Sequence, residues 1–223
     1  MKYKGLASIA FCFAAACGKP AEAPQAAQPK QEITAPAGEY RLDKSHASLV
    51  FQIDHLGFSM YTASFSDFGA TLEFNPEDPE SMSVSASIKV PSLTIPAPPE
   101  GFHEELMGPD WFNARAHPGM SFRSTNVTLT GDRIATVEGE LKMLGATAPV
   151  TMEAEFIGGY AGYPPYDPNA RIGFSAHGTL RRSDFGFTHG LPPEGTTMGV
   201  GDLVSFEINA EFTGPPAPAP AEE

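Results

Sequence analysis

The chain has 223 residues, which suits one domain or one large barrel, and its formal net charge at pH 7 is -13. This acidic balance argues against nucleic acid as a partner, because phosphate binding needs clusters of Lys and Arg. Charged residues make up only 18% of the chain, while 22 Gly and 22 Pro are typical of a loop-rich β protein. The composition therefore favours a β-rich fold.

The N-terminus has the pattern of an export signal. Two lysines in MKYK precede a short apolar run, Gly5–Ala16, which is too short to span a bilayer. Small residues directly before Cys17 resemble the bacterial lipoprotein signal, in which the cysteine is lipidated. Ala14 and Ala16 also fit an ordinary signal peptidase, which would release a soluble periplasmic protein. We expect a signal peptide over residues 1–16 and a protein that is lipid-anchored on the periplasmic side of the cell envelope.

The cysteine count agrees with an anchor. Cys12 lies inside the apolar run and would be removed, so Cys17 remains alone and no intramolecular disulfide is expected. Residues 17–38 are rich in Ala, Pro, Gln and Glu, which predicts a lipoprotein anchor followed by an extended tether. Residues 214–223 predict a disordered tail of the same kind. The folded domain is therefore expected over residues 39–213.

Within this domain, apolar and polar residues alternate along one segment after another, which is the period of a half-buried strand. Strands with a single apolar face must close into a barrel or stack as a sandwich. Small inward residues, such as Ala86, Gly139 and Ala176, suit a tapering barrel or an internal cavity, although sandwiches contain them too. In chain order the segments are Tyr40–Leu42, Ser48–His55, Ala70–Phe74, Ser83–Val90, Gly119–Leu129, Thr136–Leu144, Val150–Phe156, Ile172–Leu180 and Val204–Phe212.

One long segment, Pro98–Phe122, lacks this alternation. Its apolar residues stand at helical spacing and a Gly-Pro pair follows them, which predicts a short helix near Pro99–Met107. A turn is expected at about Trp111–Phe112. So long a connection in an all-β chain is plausible as a cap over an opening.

Motifs of a known family lie in order between Tyr40 and Phe212. They are YRLDKSHASLVFQIDHLGFS, SFSDFGATLEFNPEDPESMSVSASIKV, DWFNARAHPGMSFRST, EGELKMLGATAPVTM, and LRRSDFGF followed by VGDLVSFEINAEF. Together they resemble the YceI-like family of bacterial exported lipid-binding proteins. The resemblance implies an all-β fold, an eight-stranded antiparallel extended lipocalin-like barrel with a short helical cap segment. It also implies a long apolar tunnel that holds an isoprenoid chain, such as a quinone or polyprenyl lipid, or a fatty-acid-like amphiphile.

The implied function is non-enzymatic binding, storage or transport of such a lipid in the cell envelope, with no cofactor besides the ligand. Two other functions stay open from the residues alone: a filled barrel that binds a protein partner, and a small hydrolase. Asp43, Ser45 and His46 are close in sequence, but a catalytic triad is defined in space. Whether two chains associate as a homodimer also stays open.

The predicted ligand-binding residues divide into walls, mouth and polar groups. Met107, Trp111 and Phe112 are expected at the mouth. His55 either hydrogen-bonds a lipid head group or is satisfied by nearby backbone, and Arg182 either meets a head group or belongs to a turn. None of the six histidines forms the close pairs that metal sites favour, so no metal site is predicted. The predicted walls are Phe51, Ile53, Phe65, Phe68, Leu72, Phe74, Ile88, Phe122, Leu141, Met152, Phe174 and Phe206.

Overall fold

The computed structural model describes residues 33–217, and nearly all of the regular structure in this range is β-sheet. Within residues 33–217 there is one α-helix, α1, which spans Phe102–Met107, and short 3₁₀ turns occur at Pro79–Ser81, Val90–Ser92 and Arg182–Phe185. The strands are β1 (Gly38–His55), β2 (Ser59–Phe65), β3 (Phe68–Phe74), β4 (Ser83–Lys89), β5 (Leu93–Thr94), β6 (Gly119–Leu129), β7 (Ile134–Met143), β8 (Ala146–Tyr160), β9 (Asn169–Arg181) and β10 (Val200–Pro216).

The strands form one antiparallel sheet that closes on itself. Their order is β10-β9-β8-β7-β6-β4-β3-β1-β2-β5, and β10 also pairs with β1. Because β2 and β3 lie end to end along β1, they act as one interrupted strand of the barrel. In the same way, β4 pairs with β3 and β5 pairs with β2, so β4 and β5 together form the next interrupted strand of the barrel. The result is the eight-stranded antiparallel barrel that the family resemblance implied.

Strand β1 joins two segments that the alternation predicts as separate, Tyr40–Leu42 and Ser48–His55. Between them, Asp43–His46 bulge out of the ladder opposite Glu211 of β10. A bulge changes which face of the sheet successive side chains occupy. Inward residues therefore have even numbers before the bulge and odd numbers after it, which interrupts the sequence pattern without ending the strand.

Two inward glycines are covered by aromatic rings of the neighbouring strand. A Cβ atom at Gly139 would lie 2.3 Å from the ring of Phe122, and one at Gly178 would lie 2.7 Å from the ring of Phe206. Such rings over glycines stabilise a sheet at positions that lack a side chain. The space left by these glycines is thus filled by rings of the barrel wall and is not itself the cavity.

The cap end of the barrel, defined here as the end that carries α1 and the β9–β10 connection, contains the segment that was predicted as a cap. Helix α1 begins at Phe102, later than predicted, after Gly101 with φ 78°. The chain then turns back, and the amide of Phe112 donates to the carbonyl of Leu106 at 3.0 Å. The ring of Phe112 packs edge-on against Phe65 of the barrel and Phe187 of the β9–β10 connection.

The far end, where β1 begins and β10 ends, extends past the predicted domain boundaries. Strand β10 continues to Pro216, beyond the predicted end at Thr213. Ala35, inside the predicted tether, is only 3% exposed, so the described end of that segment packs on the barrel. The predicted signal peptide, Cys17 and most of the tether and tail lie outside the described residues. Within residues 33–217 no helix is both long and apolar enough to cross a membrane.

Candidate functional site

A cavity of about 570 Å³ occupies the interior of the barrel. Its volume falls in the range of small-ligand sites, about 300–1,000 Å³. The lining reaches from His55 and Trp111 at the cap end to Met82 and Leu129 at the far end. Along β10 the lining runs from Val200 to Phe212, a stretch that spans about 30 Å at the usual rise and tilt of barrel strands. The shape suits a long, apolar ligand.

The predicted wall residues all line this cavity, because they stand on the inward face of their strands. At the cap end, Trp111 and Phe112 also line it, whereas Met107 does not. Met107, the last residue of α1, packs against the hydrophobic core at its side, and its neighbour Leu106 contributes to the cavity lining instead. Contact of any of them with a ligand stays a prediction. The wall residues are Phe51, Ile53, Phe65, Phe68, Leu72, Phe74, Ile88, Phe122, Leu141, Met152, Phe174 and Phe206.

Several lining residues were not predicted, and Tyr61 is the clearest case. In β2 it alternates with Ala63 and Phe65, and all three line the cavity. The alternation in SMYTASF was therefore present in the sequence. Phe187 gave no such signal, because it comes from the irregular β9–β10 connection and is brought to the cavity only by tertiary contacts.

Arg182 borders the cavity but is committed to the protein backbone. Its side chain is 3% exposed, and burial lowers its pKa. Nε donates to the carbonyl of Gly201 at 2.8 Å, Nη1 donates to Phe187 and His189 at 3.1 and 2.7 Å, and Nη2 donates to Val200 at 2.8 Å. Arg182 therefore fastens the β9–β10 connection to the start of β10.

Other polar side chains at the cap end of the cavity make fewer hydrogen bonds than Arg182. His55 is exposed at the end of β1, and its ring centroid lies 6.2 Å from that of Tyr61. Trp111 approaches the edge of His189, with ring centroids 4.9 Å apart. Within the described residues, no hydrogen bond joins the His55 ring to the backbone. The structure therefore does not show the alternative in which nearby backbone satisfies this side chain.

On the outside of the barrel, the bulge of β1 gathers the polar residues of the DKSH motif. Ser45 Oγ donates to Asp43 Oδ1 at 2.6 Å, and His46 Nδ1 lies 3.0 Å from Asp43 Oδ2. The same Nδ1 lies 3.2 Å from Ser45 Oγ. In a catalytic triad, serine and carboxylate contact opposite ring nitrogens. Because both contact Nδ1 here, the arrangement is a hydrogen-bonded bulge and not a triad.

An ion-pair network connects this bulge to β9 at the far end. Arg171 donates to Asp43 at 2.6 Å and to Asp167 at 2.7 Å. The hydroxyl of Tyr160 also donates to Asp167, at 2.7 Å, and this bond raises the pKa of Tyr160. Hydrogen bonds from Ser45, then Arg171, hold the pKa of Asp43 well below its usual range. The network braces the outer wall and does not line the cavity.

In the described part of the chain, no group of three or more His, Cys, Asp or Glu residues is placed to hold a metal ion. The fold and the site define a closed antiparallel β-barrel around an apolar lumen, a form that can hold one small ligand. A model of the YceI-like domain matches residues 40–212, and this chain belongs to that family.

Relatives of this chain support the assignment. It is 36% identical over 152 residues to a UPF0312 protein of Pseudomonas putida, covering 67% of this chain and 77% of the relative. It is 34% identical over 162 residues to Protein YceI of Escherichia coli O157:H7, covering 72% of this chain and 82% of the relative.

Solved structures share the fold. BcnA of Burkholderia cenocepacia matches with a TM-score of 0.64 at 20% identity, covering 76% of this chain and 98% of BcnA. A polyisoprenoid binding domain from Saccharophagus degradans matches with a TM-score of 0.59 at 10% identity, covering 79% of this chain and 98% of that domain. At these identities the likeness shows the shared barrel.

Proposed function

We propose that this protein binds, stores or transports an isoprenoid, such as a quinone or polyprenyl lipid, or a fatty-acid-like amphiphile, and that it does so without catalysing a reaction. The apolar cavity along the barrel carries this proposal. A prenyl or acyl chain gains about 0.8 kcal/mol for each methylene that it buries. A long apolar lumen therefore needs few polar contacts to hold such a chain.

The comparisons support a ligand of this class. The Saccharophagus degradans domain with the same fold is named as polyisoprenoid binding. Membership of the YceI-like family points to a binding protein rather than an enzyme. The two alternative functions have less support. A cavity of about 570 Å³ does not fit a filled barrel that binds a protein partner. A hydrolase has less support because Asp43, Ser45 and His46 lie outside the lumen.

The proposal includes a place in the cell. We put the protein at the periplasmic side of the envelope, anchored by a lipid on Cys17, with a soluble periplasmic protein as the alternative. Growth with an alkyne fatty acid tests the anchor. Label that the wild-type protein carries and the Cys17→Ala variant lacks would support it, and an unlabelled, fully soluble wild-type protein would favour the alternative.

The first experiment on the ligand is mass spectrometry of organic extracts from natively purified residues 18–223, so that the anchor's own lipid cannot contribute. We expect a stoichiometric isoprenoid or acyl amphiphile. Empty protein that also fails to take up quinones and prenyl lipids in titrations would contradict the proposal.

Two neighbouring residues on β9 allow a test of whether the ligand binds inside the barrel. Ala176 lines the cavity, whereas His177 is exposed on the outer face, 3.8 Å from Glu153. We expect Ala176→Phe to weaken uptake at least 10-fold by filling the lumen, and His177→Phe to leave it unchanged. If Ala176→Phe does not fold, Ala154→Phe fills the same cavity from β8. Wild-type uptake by both folded variants would place the ligand elsewhere.

A further inference from the structure

The polar groups of the cavity lining are confined to its two ends. Between the ends, the inner wall consists of aliphatic and aromatic side chains. At the far end the polar lining comes from Ser83, Asp132 and Arg133. At the cap end it comes from Arg182 and from the three residues His55, Tyr61 and Trp111, which we call the mouth residues. A ligand with one polar head must therefore place that head at an end.

His55 and Tyr61 are close together, with ring centroids 6.2 Å apart, and within the described part of the chain all three mouth residues have hydrogen-bonding groups without a partner. His55 on β1 and Tyr61 on β2 are diagonal neighbours, because Ile53 stands opposite Tyr61 and Ser59 opposite His55. Within residues 33–217, no hydrogen bond occupies the His55 ring nitrogens, the Tyr61 hydroxyl or the Trp111 indole N–H. His55 is exposed, while Tyr61 and Trp111 are half-buried, so these groups lie where the lumen meets solvent.

The arginines that line the cavity are already engaged at both ends. Arg182 directs four N–H bonds to backbone carbonyls and lies over the ring of Phe187, 5.1 Å from its centroid. Arg133 donates to the carbonyl of Ile157 at 3.1 Å and lies over the ring of Phe156. The chain as a whole carries a formal charge of -13. An anionic head group would therefore lose its hydration without gaining a cationic partner.

We infer that the ligand of this cavity carries a neutral, oxygen-bearing head group, a carbonyl or hydroxyl, bound at the cap end by His55, Tyr61 and Trp111. This inference rests on the proposed function. Tyr61 and Trp111 donate hydrogen bonds to the head-group oxygen, and His55 donates or accepts according to its tautomer. The chain of the ligand then runs down the lumen past Ile53 and Ala63. Phosphate and carboxylate head groups are disfavoured.

The test compares three ligands that share one chain: phytol, phytyl phosphate and phytane. Displacement of a fluorescent fatty-alcohol probe from residues 18–223 gives the relative affinities. We expect phytol to bind at least 10-fold more tightly than phytyl phosphate. Tyr61→Phe removes one hydroxyl and should weaken phytol binding about 3- to 10-fold, the usual worth of one hydrogen bond. It should leave phytane binding unchanged, because phytane has no head group.

A matched variant separates the mouth from the outer face of the barrel. His55→Leu should weaken phytol binding to a similar degree as Tyr61→Phe, whereas Ser85→Ala, which removes an exposed hydroxyl of β4 outside the cavity, should have no effect. Tighter binding of phytyl phosphate, or phytol affinities unchanged in both mouth variants, would overturn the inference and leave lipid binding intact. If the wild-type protein bound none of the three ligands, the proposed function itself would fail.

Discussion

The two ends of the barrel differ in how each uses a buried polar side chain. At the cap end, the guanidinium of Arg182 collects backbone carbonyls from an irregular connection. At the far end, the ring of Tyr40 is fully buried and packs over Gly214, while its hydroxyl donates to the carbonyl of Pro36 at 2.8 Å. Arg182 thus holds loops around a mouth, whereas Tyr40 fills the interior.

The surroundings of the two side chains follow the same division. Around Tyr40, aromatic rings pack directly on one another, with centroids 5.4 Å apart for Tyr40 and Phe74 and 5.2 Å apart for Phe156 and Phe174. Around Arg182, the chain is irregular, and the nearby mouth of the cavity is open to solvent. The comparison teaches that far-end changes should alter stability alone, and that cap-end changes should alter both stability and binding.

The largest effect is expected at Arg182. Arg182→Met keeps the length of the side chain but leaves four carbonyls without their donor, so the free energy of unfolding should fall by about 3–5 kcal/mol. Phytol affinity should fall as well, because the β9–β10 connection is released. Urea unfolding and displacement titration measure the two effects.

The neighbouring Arg181 supplies the control. It is exposed and meets Asp202 at 3.2 Å, so Arg181→Met should lower the free energy of unfolding by less than about 1 kcal/mol. Equal effects of the two variants would show that burial and backbone contacts do not distinguish Arg182.

A smaller effect is expected at the far end from Gly214→Ala. The new Cβ would lie 2.1 Å from the ring of Tyr40, so overpacking should reduce the free energy of unfolding by about 1–3 kcal/mol. Gly173→Ala is the control, since its Cβ would meet nothing closer than 3.9 Å. Phytol affinity should not change in either variant. A loss of affinity in folded Gly214→Ala would break the proposed separation between the ends.

Tyr40→Phe should reduce the free energy of unfolding by about 1 kcal/mol at pH 7, because it removes the hydrogen bond to Pro36. Burial raises the pKa of Tyr40 to about 12. The wild-type protein should therefore lose stability between about pH 10, where an unfolded tyrosine ionises, and about pH 12. The variant should lose less over this window. Urea titrations at pH 9 and pH 11 measure the free energy of unfolding of both proteins. An equal loss of this free energy in the wild type and the variant would contradict the prediction.

The smallest effect is expected from Asp43→Asn on the outer wall. Hydrogen bonds lower the pKa of Asp43 in the folded protein, so its contribution is fully present above the unfolded pKa of about 3.9 and is lost as pH falls below it. The variant should be less stable than wild type at pH 7, and the difference should narrow at pH 3. Asp184→Asn, at an exposed position, is the control. A difference that stays constant from pH 7 to pH 3 would contradict the prediction.

Particular residues show how far the sequence could be used. The alternation in β7 placed Val137 and Leu141 inside correctly, because the period of a strand is a local property. It divided β1 in two, because the bulge reverses the facing of side chains. Helical spacing located α1 but not which of its residues face the lumen, and the structure chose Leu106 over Met107. That choice depends on packing against elements distant in the chain.

The sequence by itself determined most of the strands, though not β2 or β5, together with their apolar faces and, through the family motifs, the class of barrel. The strands and their faces follow from residues that are neighbours in the chain, and the class of barrel follows from motifs that can be read directly in the sequence. Only the tertiary structure decided that β10 closes on β1, that Arg182 donates its hydrogen bonds to the backbone and that His55, Tyr61 and Trp111 all line one cavity. Such features join residues far apart, as Arg171 and Asp43 are joined across 128 positions, and no local periodicity encodes contacts at that separation.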